Sequence, residues 1–251
     1  MQKGLGRLGS ALLATALLAG CAGGSGQAEP TGINDPYEAT NRKVHAFNEG
    51  MDTLLFKARP GHPRSVNNLF VRSVSNVGSN IGLPAKVVNS LLQGRPEPAI
   101  KNTFRFAINS TIGLAGIFDP AGSSFSLPET ATDFGETLAV WGVGEGAYVE
   151  LPVFGPSTER DAVGTVVDIA MNPVGQLLSG SDATAASAAQ VAGKVADRKR
   201  FGETVESVLY DSADSYAQSR LLYLQNRRYQ LSGQENNDAD AWDPYADPYA
   251  Q

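Results

Sequence analysis

The chain contains a single cysteine, Cys21, and the setting of that residue constrains what the rest can become. One thiol excludes an internal disulfide and a cysteine-cluster metal site. Ahead of it, residues 1–10 carry Lys3 and Arg7 and no acid, and residues 11–19 read ALLATALLA. That run is too short to cross about 30 Å of hydrocarbon. A basic start, a short apolar stretch and small residues before a cleavage point read as a secretory signal over residues 1–20. The fold that follows must therefore work outside the cytoplasm and without a spanning helix at its start.

Leu18-Ala19-Gly20-Cys21 resembles a lipobox, with the thiol as acceptor. Cleavage before Cys21 leaves it at the new N-terminus, carrying a thioether-linked diacylglycerol and an N-acyl chain such as palmitate. Stable anchoring needs at least two chains, each buried methylene adding about 0.8 kcal/mol, so the three chains are enough. Ala22 rather than Asp follows the cysteine. By resemblance to bacterial lipoprotein sorting, that places the protein on the periplasmic face of the outer membrane. Residues 21–32, rich in Gly and small polar side chains, read as a flexible tether.

With 42% hydrophobic and 18% charged residues, the 251-residue chain is not disordered overall. Its net charge is −6, and loss of Lys3 and Arg7 with the signal takes it to −8. An acidic protein repels a phosphate backbone, so nucleic acid is not an expected partner. The two histidines, His45 and His62, do not make a zinc site. No metal and no cofactor are expected.

Helical spacing dominates the remainder. Asp35, Pro36 and Glu38 form a helix start, and Val44, Phe47, Met51, Leu54 and Leu55 carry the period over residues 36–57. The prolines at 60 and 63 break it. A second helix carries Val66 to Ile81. Gly82-Leu83-Pro84 interrupts, and a short helix follows over 84–93. A fourth begins near Pro96, with Ile100, Phe104 and Ile108 on one face and Asn102, Arg105 and Asn109 on another. Residues 107–118 contain no charge. Periodicity leaves this segment as buried core or as an interfacial hairpin, and favours core. Residues 119–156 are broken by Gly and Pro into loops, with a short helix near 134–140 and an extended piece at 147–153. Helices are expected at 158–171, 173–178, 182–200 and, as one long element, 203–231. The domain plan is one all-α domain at 33–231 and an acidic disordered tail at 232–251, where DPY repeats within 243–249.

Catalytic patterns are missing. There is no GxSxG elbow and no HExxH. Gly193-Lys194 is followed by Val195, so it is not a P-loop. Asp133 and Glu136 suit cap or surface roles better than a carboxylate pair. The basic cluster Lys194, Arg198, Lys199 and Arg200, and the pair Arg227 and Arg228, read as solvated faces, with anionic headgroups as the functional alternative.

Several blocks nevertheless occur in order. They are Asn34-Asp35-Pro36-Tyr37-Glu38 with Asn41-Arg42 and Phe47-Asn48, then 89–94 (NSLLQG), 105–119 (RFAINSTIGLAGIFD), 133–138 (DFGETL), 141–144 (WGVG) and 151–158 (LPVFGPST) with Arg160-Asp161. Together they resemble the MlaA (VacJ) family of outer-membrane lipoproteins over residues 34–230. Ala39-Thr40 departs from the Gly-Phe of that pattern, and His45 stands where an aromatic is expected.

The resemblance implies an all-helical, ring-shaped domain lying in the periplasmic leaflet of the outer membrane. It implies a non-enzymatic role: removal of mislocalised phospholipid from the outer leaflet to a soluble periplasmic carrier, which keeps the membrane asymmetric, in association with trimeric porins. Moving a charged headgroup through hydrocarbon costs from about 3 to over 10 kcal/mol, and a polar-lined passage lowers that cost. A ring seated in lipid turns 107–118 into an interfacial hairpin. Phe47 and Asn48 become gate candidates, and Asn102, Arg105 and Asn109 candidate lining. With no nucleotide motif, the chain alone can only equilibrate lipid. Two other readings stand beside this one: a lipoprotein that scaffolds a porin or envelope complex, and a periplasmic lipid hydrolase using His45 or His62.

Overall fold

The computed structural model describes residues 32–56, 65–170, 172–174, 178 and 180–232. The signal, Cys21, the tether up to residue 31, the loop with His62, most of the short helix expected at 173–178, and the tail from 233 onward lie outside the described residues. Elements run in the order α1 (Glu38–Leu55), α2 (Leu69–Leu92), α3 (Pro96–Thr111), α4 (Pro120–Ser123), α5 (Phe134–Val140), β1 (Tyr148–Leu151), β2 (Gly155–Thr158), α6 (Glu159–Ala170), α7 (Ser181–Arg200), α8 (Gly202–Leu209) and α9 (Ser215–Leu231). The fold is all-α apart from one small antiparallel hairpin, in which Tyr148 opposes Thr158 and Leu151 opposes Gly155. No helix among the described residues is long and apolar enough to cross a membrane.

The packing closes on itself. α2 packs on α5, α5 on α6, α6 on β2, β2 on α9, α9 on α8, α8 on α7, and α7 back on α2. A circuit of that kind is a ring. At the α2–α7 seam the helices touch through glycines: a Cβ on Gly78 would sit 2.7 Å from the Cα of Gly193. Only the missing side chains permit that approach. Outside the circuit, α3 packs on α2 and α1 on β1. The apolar core is small, with Ile33, Tyr148, Tyr216 and Leu224 as its centre and Tyr223 against it.

Four expectations need correction. Pro84 does not end a helix; it lies inside the continuous α2. Leu83 beside it is fully buried and α2 is held by α3, α5 and α7, so tertiary packing outweighs the roughly 3 kcal/mol that an interior proline costs. The long helix at 203–231 is two, α8 and α9. They are separated at 210–214, where Asp214 caps α9 by accepting from the Ala217 N–H. Asp35 does not cap α1, whose N-cap is Tyr37 without a side-chain bond. Its carboxylate instead receives Asn41 at 2.9 Å, the Tyr216 hydroxyl and Arg220. Residues 155–158 form a strand because 147–153 needed a partner for its backbone groups. The cap reading of Asp133 agrees with the structure, since it accepts from the Glu136 N–H at 2.8 Å.

Candidate functional site

Polarity is inverted in this fold. Among the described residues, nineteen polar or charged side chains are buried against ten hydrophobic ones, while Leu54, Leu69, Phe70, Ile100 and Phe104 are exposed. α3 shows how the sequence does this. Its polar stripe faces inward and its apolar stripe outward. The uncharged 112–118 segment carries the pattern further: Gly113 and Gly116 are buried, whereas Ile112 and Leu114 are 63% and 60% exposed. Leu114 and Ala115 adopt left-handed backbone at φ 53° and 59°, and Gly116 at 91° tucks against Asn80, where a Cβ would meet the Asn80 Cβ at 2.7 Å. L-residues rarely hold that conformation, at a cost of about 1–3 kcal/mol each. Of the uncharged residues 107–118, the first five therefore continue α3, and 112–118 form an exposed apolar hairpin rather than buried core.

Inside the circuit lies a cavity of about 950 Å³ whose walls come from α2, α6, α7, α9, the β-hairpin and the loop before α5. Eight charged side chains line it: Lys86, Glu129, Asp133, Asp161, Asp168, Lys194, Asp197 and Arg227. Its most connected member is Asp161. It accepts from Arg227 Nε and Nη2 at 3.0 Å each, from the Tyr223 hydroxyl at 2.6 Å and from Arg160 at 3.1 Å. Arg227 also reaches Asp133 at 2.7 Å, so α5, α6 and α9 share one charged knot. Burial pushes the Asp161 carboxyl up, but the hydrogen bonds and charge of Arg227, then Tyr223 and Arg160, outweigh it and hold the group below the usual carboxylate range. Asp168 goes the other way. Burial raises it and outweighs the Phe134 N–H and Asn89, each bonded at 2.9 Å.

The residues singled out from sequence fall in different places. Asn102 is 0% exposed and clamps Thr130, donating to its carbonyl at 2.9 Å and accepting from its N–H at 3.2 Å. Arg105 holds Asp119 through Nη2 at 3.0 Å and also meets the Leu127 carbonyl. Asn109 donates to Asp119 at 2.8 Å and accepts from the Ala121 N–H at 3.1 Å. All of these bonds fasten the 119–130 loop, and none of the three side chains lines the cavity. Phe47 is 52% exposed on α1. Asn48 binds the hairpin tip, accepting from the Val153 N–H at 2.7 Å and donating to the Leu151 carbonyl at 3.0 Å. Phe154 at that tip lines the cavity, beneath Lys194 at 5.9 Å from its ring centroid.

Arg198 and Arg227 are not solvated. Arg198 pairs with Asp52 at 2.6 Å, and Arg227 closes the knot. Sequence reasoning overlooked Lys86, Glu129 and Asp168. Asp168 sits seven residues after Asp161, two helical turns along one face of α6, and that spacing was the available signal. His45 is buried, with Nδ1 3.2 Å from Glu150 and Nε2 3.1 Å from the Ser215 hydroxyl.

Against known proteins, a family model described as MlaA lipoprotein matches residues 33–230. An uncharacterized protein of Rickettsia felis is 38% identical over 144 residues, 57% of each chain, so the chain spans less than two thirds of that relative's length. The intermembrane phospholipid transport system lipoprotein MlaA of Haemophilus influenzae is 30% identical over 227 residues, 89% of each chain. A solved structure reported under the words "Structural basis for maintenance of bacterial outer membrane lipid asymmetry" superposes with TM-score 0.62 at 28% identity, covering 78% of this chain and 98% of that one.

Proposed function

This chain belongs to the MlaA lipoprotein family, and from that membership we propose that it moves phospholipid through the cavity at the centre of its ring. It is a lipid-anchored component of the outer membrane that withdraws displaced phospholipid from the outer leaflet and so keeps the membrane asymmetric. One observation carries this reading: a closed circuit of helices is apolar outside and encloses charged groups within. Each large side chain transferred from water into lipid gains about 1.5–3 kcal/mol, so the outer face of α3 and the 112–118 hairpin favour seating in a leaflet. A headgroup that would cost from about 3 to over 10 kcal/mol in hydrocarbon meets instead a polar wall. The named relatives and the structural likeness to work on lipid asymmetry support the same reading.

Asn48 acts as a positioning residue at the gate. It sets the hairpin tip, and the tip sets Phe154 at the cavity. Phe47 lies beside it on α1 as the second gate residue. Asn102, Arg105 and Asn109 act one step further out, by holding the loop that brings Glu129 to the cavity. A soluble periplasmic carrier receives the lipid, and a trimeric porin holds the ring in place; co-purification of each from envelopes tests these partners.

The direct test narrows the cavity. A Cβ on Gly82 meets only the flexible end of Lys86 at 4.0 Å, and Gly82 lines the cavity, so Gly82→Trp has room to start an indole that narrows it. In reconstituted vesicles the wild-type chain should carry acyl-labelled phospholipid between leaflets and the narrowed variant should carry it more slowly. Equal rates in both would rule out the cavity as the route, and no movement with porin binding intact would favour the scaffold reading. The Ser215–His45–Glu150 chain favours a second reading, the hydrolase. Fatty-acid release by purified protein, lost in Ser215→Ala and His45→Gln, would establish it; without release, the chain serves to fasten α1 to β1 and α9.

A further inference from the structure

We propose that the cavity selects a zwitterionic headgroup with a primary ammonium, as in phosphatidylethanolamine, holding its phosphate at Lys194 and its ammonium at Asp168. The inference rests on the transport reading above and names the class of lipid that the same cavity prefers. It follows from how the eight charged groups of the wall are paired. Lys86 is paired with Glu129. Arg227 is paired with Asp133 and Asp161, and Asp197 with Arg200 at 3.4 Å. Two groups remain with no opposite charge within ion-pair distance among the described residues, one of each sign.

Asp168 is held only by neutral donors, the Asn89 amide and the Phe134 N–H. Both fix its position on α6 without neutralising it. Its carboxyl is already pushed up by burial, with like charge from Asp133 adding to the effect and the more distant charge of Arg227 opposing it. An arriving ammonium would offset both by supplying an opposite charge. Lys194 on α7 is exposed, with its ammonium over the Phe154 ring and no carboxylate. A phosphate would find a partner there. A zwitterion carries an opposite charge for each of the two groups and adds no net charge to the ring. A glycerol headgroup satisfies Lys194 alone and leaves Asp168 facing a hydroxyl. The other acids of the wall are already paired, so they do not offer the ammonium a competing position.

The experiment uses the full lipidated protein in vesicles holding equal amounts of phosphatidylethanolamine and phosphatidylglycerol. One lipid at a time is labelled in its acyl chain, so that the headgroup stays intact. A partly exposed ion pair is worth up to about 1 kcal/mol, which sets an expected preference of about threefold for the ethanolamine lipid. Asp168→Asn should bring the ratio of the two rates to about one. Lys194→Gln, at an exposed position that does not threaten the fold, should slow both lipids and leave their ratio in place, because both carry the phosphate. Equal wild-type rates overturn the inference and leave transport standing. So does an Asp168→Asn protein that keeps the wild-type ratio. No movement of either lipid overturns the transport reading and this one with it.

Discussion

The inner wall formed by α6 and α9 and the outer surface formed by α3 and the 112–118 hairpin use the same kinds of element for opposite ends. On the inner wall charged side chains are buried and interlocked: Asp161 alone receives two arginines and a tyrosine. On the outer surface the glycines are buried and Ile112, Leu114 and Phe118 point out. In water this arrangement would be a liability, because a large exposed apolar patch invites association. At a membrane it is the low-energy arrangement. The two regions therefore separate stability from the proposed function in space: ion pairs hold the circuit together and line its cavity, and apolar side chains form the face that the transport proposal seats in lipid.

That separation can be broken first at the inner wall. Asp161→Ala should cost about 3–5 kcal/mol, read as a fall in melting temperature, because it strands Arg160 in a buried setting and leaves Arg227 with Asp133 alone. A change below about 1 kcal/mol would show that the knot is decorative. Gly78→Ala comes next. The new methyl has to push α2 from α7, at about 1–3 kcal/mol, and hydrogen exchange should rise along both helices. A melting temperature above wild type would instead mean that the helices are free to part.

Acid tests the same wall with the sign fixed in advance. The Asp161 and Asp119 carboxyls are depressed in the folded protein: at Asp119 burial opposes the shift, and Asn109, the Gly122 N–H and Arg105 win. A depressed carboxyl stabilises above its unfolded value of about 3.9 and loses that contribution as pH falls through its folded value. Thermal stability should thus hold from neutral pH to about 4 and decline below it. Asp168 is shifted upward and contributes with the opposite sign. The smallest stability effect belongs to the outer surface. Leu114→Ser with Ile117→Ser should leave the melting temperature within about 0.5 kcal/mol of stability. In a chain made soluble by Cys21→Ser, the same pair should reduce flotation with vesicles. Unchanged flotation would remove this hairpin from the membrane contact.

The two faces of α3 were legible in sequence because a helical period marks them whatever their surroundings. Which face turns inward was not, since periodicity has no sign and the usual assumption places apolar residues inside. Asn102, Arg105 and Asn109 were correctly grouped, but their loop partners at 119–130 are joined to them only by the fold. The Gly82-Leu83-Pro84 interruption failed for a similar reason: local propensity argued for a break, and the neighbours of α2 overrode it.

From sequence alone came most of the helical elements, the family blocks and the polar and apolar stripes, all of which depend on residues near one another in the chain. Tertiary structure alone decided the closure of the circuit, the touching glycines 78 and 193, and the charged knot of Asp133, Asp161 and Arg227. It also left Asp168 and Lys194 as unmatched charges. These features join residues tens to more than a hundred positions apart, and no local pattern encodes a partner at that distance. Charge balance inside a cavity is a sum over its whole wall, so it exists only once the ring has closed.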